Sequence, residues 1–180
     1  SPQARPVIRT LLGDLTPDGI GDGAILFHEH LSFKWPQGAE THVTDDVDLI
    51  IQEVRIAMDE GIAAMVDAGH PDMHRNLGAL RRIAEETGMP AVASGGWYMQ
   101  NHYPPRISRM SAEELADELV AEAERDSLGA LGEIGQEEGV LTEDERKVFR
   151  AVGLAHARTG LPVFTHNAYS IRNPDVPREA

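Results

Sequence analysis

The run Gly23-Ala24-Ile25-Leu26-Phe27-His28-Glu29-His30-Leu31 begins apolar and ends in two imidazoles flanking a carboxylate. Four consecutive apolar residues suit a short strand buried on both faces, as in a parallel sheet. Side chains two apart on a strand share a face, so His28 and His30 can grip one ion while Glu29 points the other way, toward packing or outer support. An HxH alone also occurs in ordinary loops, so its meaning depends on what surrounds it.

Four further apolar runs follow, at 63–67, 91–94, 130–134 and 163–165. Between them lie segments of helical period at 47–60, 77–87, 112–125 and 143–159, the first with Leu49, Ile50, Val54, Ala57 and Met58 on one face. Ser111 with Glu114, and Thr142 with Glu145, form capping boxes that open two of the four helices, and Gly61, Gly88 and Gly160 close three of them. The alternation predicts successive βα units around a parallel sheet, an α/β fold in a single domain over 1–180. Ahead of it, two short apolar stretches around Gly13-Asp14 and Pro17-Asp18-Gly19 predict a small hairpin lid at about 7–20. Five strands and four helices fit either a doubly wound sheet or the first five-eighths of a barrel.

The chemistry-bearing residues bear on that choice. Glu133 stands in the otherwise apolar Gly129-Ala130-Leu131-Gly132-Glu133-Ile134-Gly135, where an unpaired buried carboxylate is costly and calls for a cation, either an Arg or a metal. His166 ends Leu161-Pro162-Val163-Phe164-Thr165-His166. A lone His in such a place is more often a hydrogen-bonded core residue. Yet His28, His30, Glu133 and His166 all fall at C-terminal strand ends, the edge where parallel α/β folds build their sites. Two His, a carboxylate and a third His suit Zn²⁺, Mn²⁺ or Co²⁺, and the carboxylate can bridge two ions.

Acidic residues outnumber basic ones 30 to 16, for a net charge of -14, which argues against nucleic acid or an anionic membrane surface as partner. Absence of cysteine excludes disulfides and thiolate metal ligands, leaving eight histidines and the carboxylates as donors. No run of about 18 apolar residues is present, and a cytoplasmic location is the default expectation.

With Met65-Val66-Asp67 in the second strand, Ser94-Gly95-Gly96-Trp97-Tyr98 after the third, Glu133 in the fourth and Val163-Phe164-Thr165-His166 in the fifth, the His28-Glu29-His30 run resembles the HEH signature of the phosphotriesterase family of the amidohydrolase superfamily. That resemblance implies a TIM (β/α)8 barrel of the metal-dependent hydrolase type. It assigns His28 and His30 to the more buried metal, Glu133 to the bridge between two metals and His166 to the second, with zinc the leading ion and Mn or Co the alternatives. The better-known members bridge with a carbamylated Lys; here a Glu stands in that place, which leaves their substrate preference open. The family pattern also places a His on the sixth strand and a metal-binding, proton-accepting Asp on the eighth, so that Asp is expected beyond residue 180 and no catalytic base is assigned within the chain. A closed barrel takes at least ~200 residues and typically ~250. The chain is accordingly expected to hold about the first five βα units, as a truncation, cleavage product or piece of a split protein.

The function so implied is hydrolysis of an ester-type bond in a small molecule, a lactone, carboxylic ester or amide, or phosphotriester, by a metal-activated hydroxide. One alternative is a smaller hydrolase with a single metal on His28, His30 and His166; another is a non-catalytic binding or assembly module. Homodimers are common in the family.

Trp97 and Tyr98 resemble the aromatics lining the family's leaving-group pocket, and an aromatic pair merely covering the barrel mouth is an equal reading. Asp67 is a candidate acceptor for a ligand imidazole, fixing its tautomer. His70, His74 and His102 sit on loops near the mouth, where solvated histidines are the commoner case, and His42 reads as solvated. His156 reads as structural, near its helix C-terminus. The acidic stretch 113–124 reads as a solvated helix face.

Overall fold

The computed structural model describes residues 6–34, 43–137 and 139–166; His42 and the segment 167–180 lie outside them. In chain order these form β1 (Ile8–Thr10), β2 (Gly13–Leu15), β3 (Ala24–Glu29), β4 (Phe33–Lys34), β5 (Val43–Thr44), α1 (Val47–Asp59), β6 (Ile62–Asp67), α2 (Leu77–Thr87), β7 (Ala91–Gly95), α3 (Ala112–Asp126), β8 (Ala130–Gly135), α4 (Glu143–Thr159) and β9 (Val163–His166), with four short 3-10 turns between them.

Strands β3, β6, β7, β8 and β9 make one parallel sheet in that spatial order. A doubly wound sheet reverses its strand order at a switch point; here spatial order follows chain order throughout, as in a barrel. The sheet is also curled. Phe27 on β3 and Phe164 on β9 stack with ring centroids 6.1 Å apart although their strands are the two outer edges. The molecule is an α/β half-barrel, five parallel strands wrapped on the outside by four helices.

Alternation across the pleat separates two apolar layers. Outward, Met65, Ala91, Ala93, Leu131 and Ile134 pack beneath Ile51, Val54, Leu80, Ile83, Leu115, Leu119, Val148 and Val152 of the helices. Inward, Val66, Val92 and Ala130 meet Phe164 and Ile8. Ile8 belongs to the β1–β2 hairpin, whose Leu11 amide donates to the Ala91 carbonyl at 2.8 Å. The hairpin therefore seals the N-terminal ends of the strands, away from the histidines.

Both capping boxes are formed, on Ser111 and Thr142, and Gly88 and Gly160 close α2 and α4 in the left-handed region. Ser127 closes α3 in the same conformation without a glycine to mark it. Each strand except β6 runs past its apolar stretch, so His28 and His166 lie within β3 and β9. Ladder hydrogen bonds from the neighbouring strand, which hydropathy does not register, carry them on. Among the described residues no helix is long and apolar enough to cross a membrane.

Candidate metal centre

Glu133 stands near the C-terminal end of β8 between Leu131 and Ile134, both committed to the outer core. A register shift between Leu131 and Ile134 accompanies its turn to the inner side. Gly132, at φ +137°, lets the Phe164 carbonyl approach so closely that any Cβ would collide with it. The Gly132–Glu133 peptide is cis, and the Glu133 amide donates to the Ala68 carbonyl at 2.9 Å.

Three imidazoles converge on the Glu133 carboxylate. His28 Nε2 lies 3.0 Å from Oε2, His30 Nε2 3.2 Å from Oε1 and His166 Nδ1 2.8 Å from Oε2. Among the described residues the cations facing the buried carboxylate are these imidazoles and no Arg. Burial alone would raise the Glu133 pKa, but hydrogen bonds from His166 and His30 and the charges of His166 and His28 outweigh it and hold the group well below the usual carboxylate range. The Tyr98 hydroxyl is 3.1 Å from His166 Nε2. Burial, then the charges of Glu133, Glu137 and Asp72, push the phenol upward, so it stays neutral and can either donate to Nε2 or accept from it, while Nδ1 faces Glu133.

These groups line a shallow depression of about 470 Å³, walled by His28, His30, Phe33, Met73, Tyr98, Glu133 and His166. Donor atoms of His28, His30 and Glu133 all lie within 4.8 Å of one another, a group able to hold a metal ion. Neutral imidazole and carboxylate donors fit a borderline divalent cation, and His166, which meets the same carboxylate oxygen as His28, adds a third imidazole nitrogen beside that group.

Below the carboxylate, His70 is wholly buried, its Nδ1 2.5 Å from Asp72 Oδ1 and its Nε2 2.7 Å from the Glu133 carbonyl oxygen. Burial disfavours its charge, but Asp72 and the Glu133 carbonyl together raise its pKa. The solvated reading of His70 is thus corrected: both its nitrogens have partners inside the protein. Asp67 also differs from expectation. Its Oδ2 accepts the Leu31 amide at 2.7 Å and its Oδ1 the Gly69 amide at 3.0 Å, whereas His30 Nδ1 is buried without a hydrogen-bond partner among the described residues. Asp67 ties down the chain just after His30, because the strand end it occupies faces backbone amides.

Trp97 packs in the outer core, 4% exposed, and borders a second cavity of about 630 Å³ shared with Arg75, His74, His102 and residues of α3. Only Tyr98 of the aromatic pair lines the depression. Along the acidic face of α3, Glu122 is the exception to solvation, turned inward to Arg75 at 3.3 Å. His156 Nδ1 lies 2.8 Å from the Leu161 carbonyl, a structural contact. Phe33, Met73, His70 and Asp72 were not marked as site residues by the sequence; the run His70-Pro71-Asp72 after β6 was the available signal for the last two.

Fold and site together define an α/β half-barrel with a nitrogen- and oxygen-lined metal-binding group at the C-terminal ends of its strands. The chain belongs to the phosphotriesterase family, whose model matches residues 6–176. It is 34% identical to the phosphotriesterase homology protein of Escherichia coli over 82% of this chain and 53% of that protein. To the human N-acetyltaurine hydrolase it is 33% identical over 93% of this chain and 58% of that one. A crystal structure of the Escherichia coli protein, complexed with phosphate in its active site, superposes with a TM-score of 0.80, covering 87% of this chain and 57% of that one at 32% identity. A lactonase of Listeria monocytogenes shares the fold at 23% identity, with a TM-score of 0.81 over 97% of this chain and 61% of that one. The chain thus spans a little over half the length of these relatives.

Proposed function

We propose that this chain is the metal-binding half of a hydrolase that cleaves an ester-type or amide bond in a small molecule: a lactone, a carboxylic ester or amide, or a phosphotriester. The observation that carries this reading is the convergence of His28, His30 and His166 on one buried carboxylate, Glu133. The names of the relatives, a phosphotriesterase homology protein and an N-acetyltaurine hydrolase, support the reaction class.

In this reading His28 and His30 would hold one divalent ion, His166 would serve a second and Glu133 would be available to both, zinc being the leading candidate and Mn²⁺ or Co²⁺ the others. Such ions polarise a carbonyl or phosphoryl oxygen and bring the pKa of water near neutrality. The protein's own part is geometric. Tyr98, by accepting the Nε2 proton of His166, would leave Nδ1 free for an ion, Asp67 anchors the backbone after His30, and Phe33 and Met73 give the depression its apolar wall, against which the non-reacting part of a substrate can pack. A cytoplasmic, homodimeric protein belongs to the same proposal.

The test is metal content by plasma mass spectrometry on the complete protein and its His28→Ala variant, alongside hydrolysis of a lactone, an N-acyl amide and a phosphotriester. About two ions per chain are expected in the wild type, as two-metal hydrolases hold, with loss of metal and of all hydrolysis in the variant. Wild-type metal and turnover in His28→Ala would refute the site.

A further inference from the structure

The hydrogen bonds around Glu133 close on themselves. Its carbonyl oxygen is met by His70 Nε2 at 2.7 Å, and His70 Nδ1 meets Asp72 Oδ1 at 2.5 Å. Asp72 Oδ2 accepts the Tyr98 amide at 2.8 Å. The Tyr98 hydroxyl reaches His166 Nε2 at 3.1 Å, and His166 Nδ1 returns to the Glu133 carboxylate at 2.8 Å. Apart from His70–Asp72, which lies within the loop after β6, every link joins different parts of the sheet's C-terminal edge: β8 to the loop after β6, that loop to the loop after β7, and from there to β9 and back to β8.

We propose that His70 and Asp72 are positioning residues that set the placement of Glu133 and, through Tyr98, of His166, and so fix the distance between the metal ligands supplied by β8 and β9. This rests on the metal-centre reading above and extends it to two residues that touch no ion. Three observations favour it over a packing role. His70 is fully buried, so each ring nitrogen left without a partner would be costly, and each faces an oxygen. Its two partners come from different elements, so the ring acts as a strut of fixed length rather than a local cap. Asp72 spends one oxygen on His70 and the other on the residue whose hydroxyl holds His166. By contrast Glu145, another wholly buried carboxylate, binds backbone amides of Gln100, Glu137 and Thr142 and has no hydrogen bond to any member of the ring.

Outer-shell partners of metal ligands typically carry a 10–100-fold effect on metal affinity. The test uses the full-length protein loaded with Co²⁺, whose visible absorption reports ligand geometry, with affinity read by chelator competition. His70→Leu keeps the volume and removes both hydrogen bonds; Asp72→Ala removes the strut's far end. Each is expected to retain the wild-type circular dichroism, weaken cobalt binding roughly 10–100-fold and shift the visible bands. Asp72→Asn is the conservative variant, since its amide can donate to His70 Nδ1 while its oxygen still accepts from Tyr98. It is expected to restore most of the affinity and the wild-type spectrum. His156→Ala, away from the site, should change thermal stability without moving the bands.

Folded His70→Leu and Asp72→Ala variants with wild-type affinity and spectrum would overturn the proposal. Failure of both to fold would also overturn it, making the pair a requirement of the fold. A wild type that binds no cobalt at all would instead sink the metal-centre reading itself, and is recognised without any variant.

Discussion

Burial by itself raises the pKa of a carboxyl group, and Glu133 is only 2% exposed. Its three imidazole neighbours reverse that tendency, so the folded protein holds it ionised far into acid. A folded-state pKa below the unfolded value, about 4.3 for Glu, contributes stability that is fully present above that value and is lost as pH falls through it toward the folded pKa. Urea titrations at several pH values should show the unfolding free energy dropping more steeply below about pH 4 in the wild type than in Glu133→Gln. Parallel acid limbs would show that the imidazoles do not hold the carboxylate. The sequence made Glu133 conspicuous as a carboxylate in an apolar strand, and His28, His30 and His166 as strand-end imidazoles. It could not show His70 to be buried between two acceptors, because burial of a loop residue depends on the loops that close over it.

Elements were legible where the local code is strong. The capping boxes on Ser111 and Thr142, the helical periods and the apolar runs all correspond to observed helices and strands, since each depends on residues within a turn or two of one another. Glu145 goes further than its box. Besides Thr142, it binds the amides of Gln100 and Glu137, and so ties the loops after β7 and β8 to the start of α4. Removing it leaves three amides without their acceptor, at about 1–3 kcal/mol for each buried group left unpaired. Loss of the Ser111 cap alone costs about 1 kcal/mol. Glu145→Ala is therefore expected to destabilise the protein at least twice as much as Ser111→Ala in denaturant titrations. Equal losses would confine Glu145 to its own helix.

At the scale of the molecule, the hairpin is held by close approach. A Cβ at Gly129 would run into the Arg9 carbonyl and lie 2.7 Å from Val92 Cγ1. Overpacking of this kind costs about 1–3 kcal/mol, so Gly129→Ala should lower the melting temperature by roughly 2–10 °C in calorimetry. An unchanged melting temperature would mean that the hairpin rides loosely on the strand ends. The Phe27–Phe164 stack shows how far the sheet has curled, and the same curl brings His166 of the last strand to the carboxylate that His28 and His30, at the end of the first, also reach.

The sequence by itself determined the βα alternation, the helix caps, the side of the sheet on which the four ligand candidates lie and the family to which they belong, because periodicity, capping and strand-end chemistry are written in neighbouring residues. Only the tertiary structure decided that the strands keep chain order around a curl, that Asp67 serves amides rather than an imidazole, that Trp97 turns to the outer core while Tyr98 reaches His166, and that His70 and Asp72 complete a ring beneath Glu133. Each of these depends on contacts between residues far apart in the chain, and which face a loop side chain presents is set by the packing of the elements it joins.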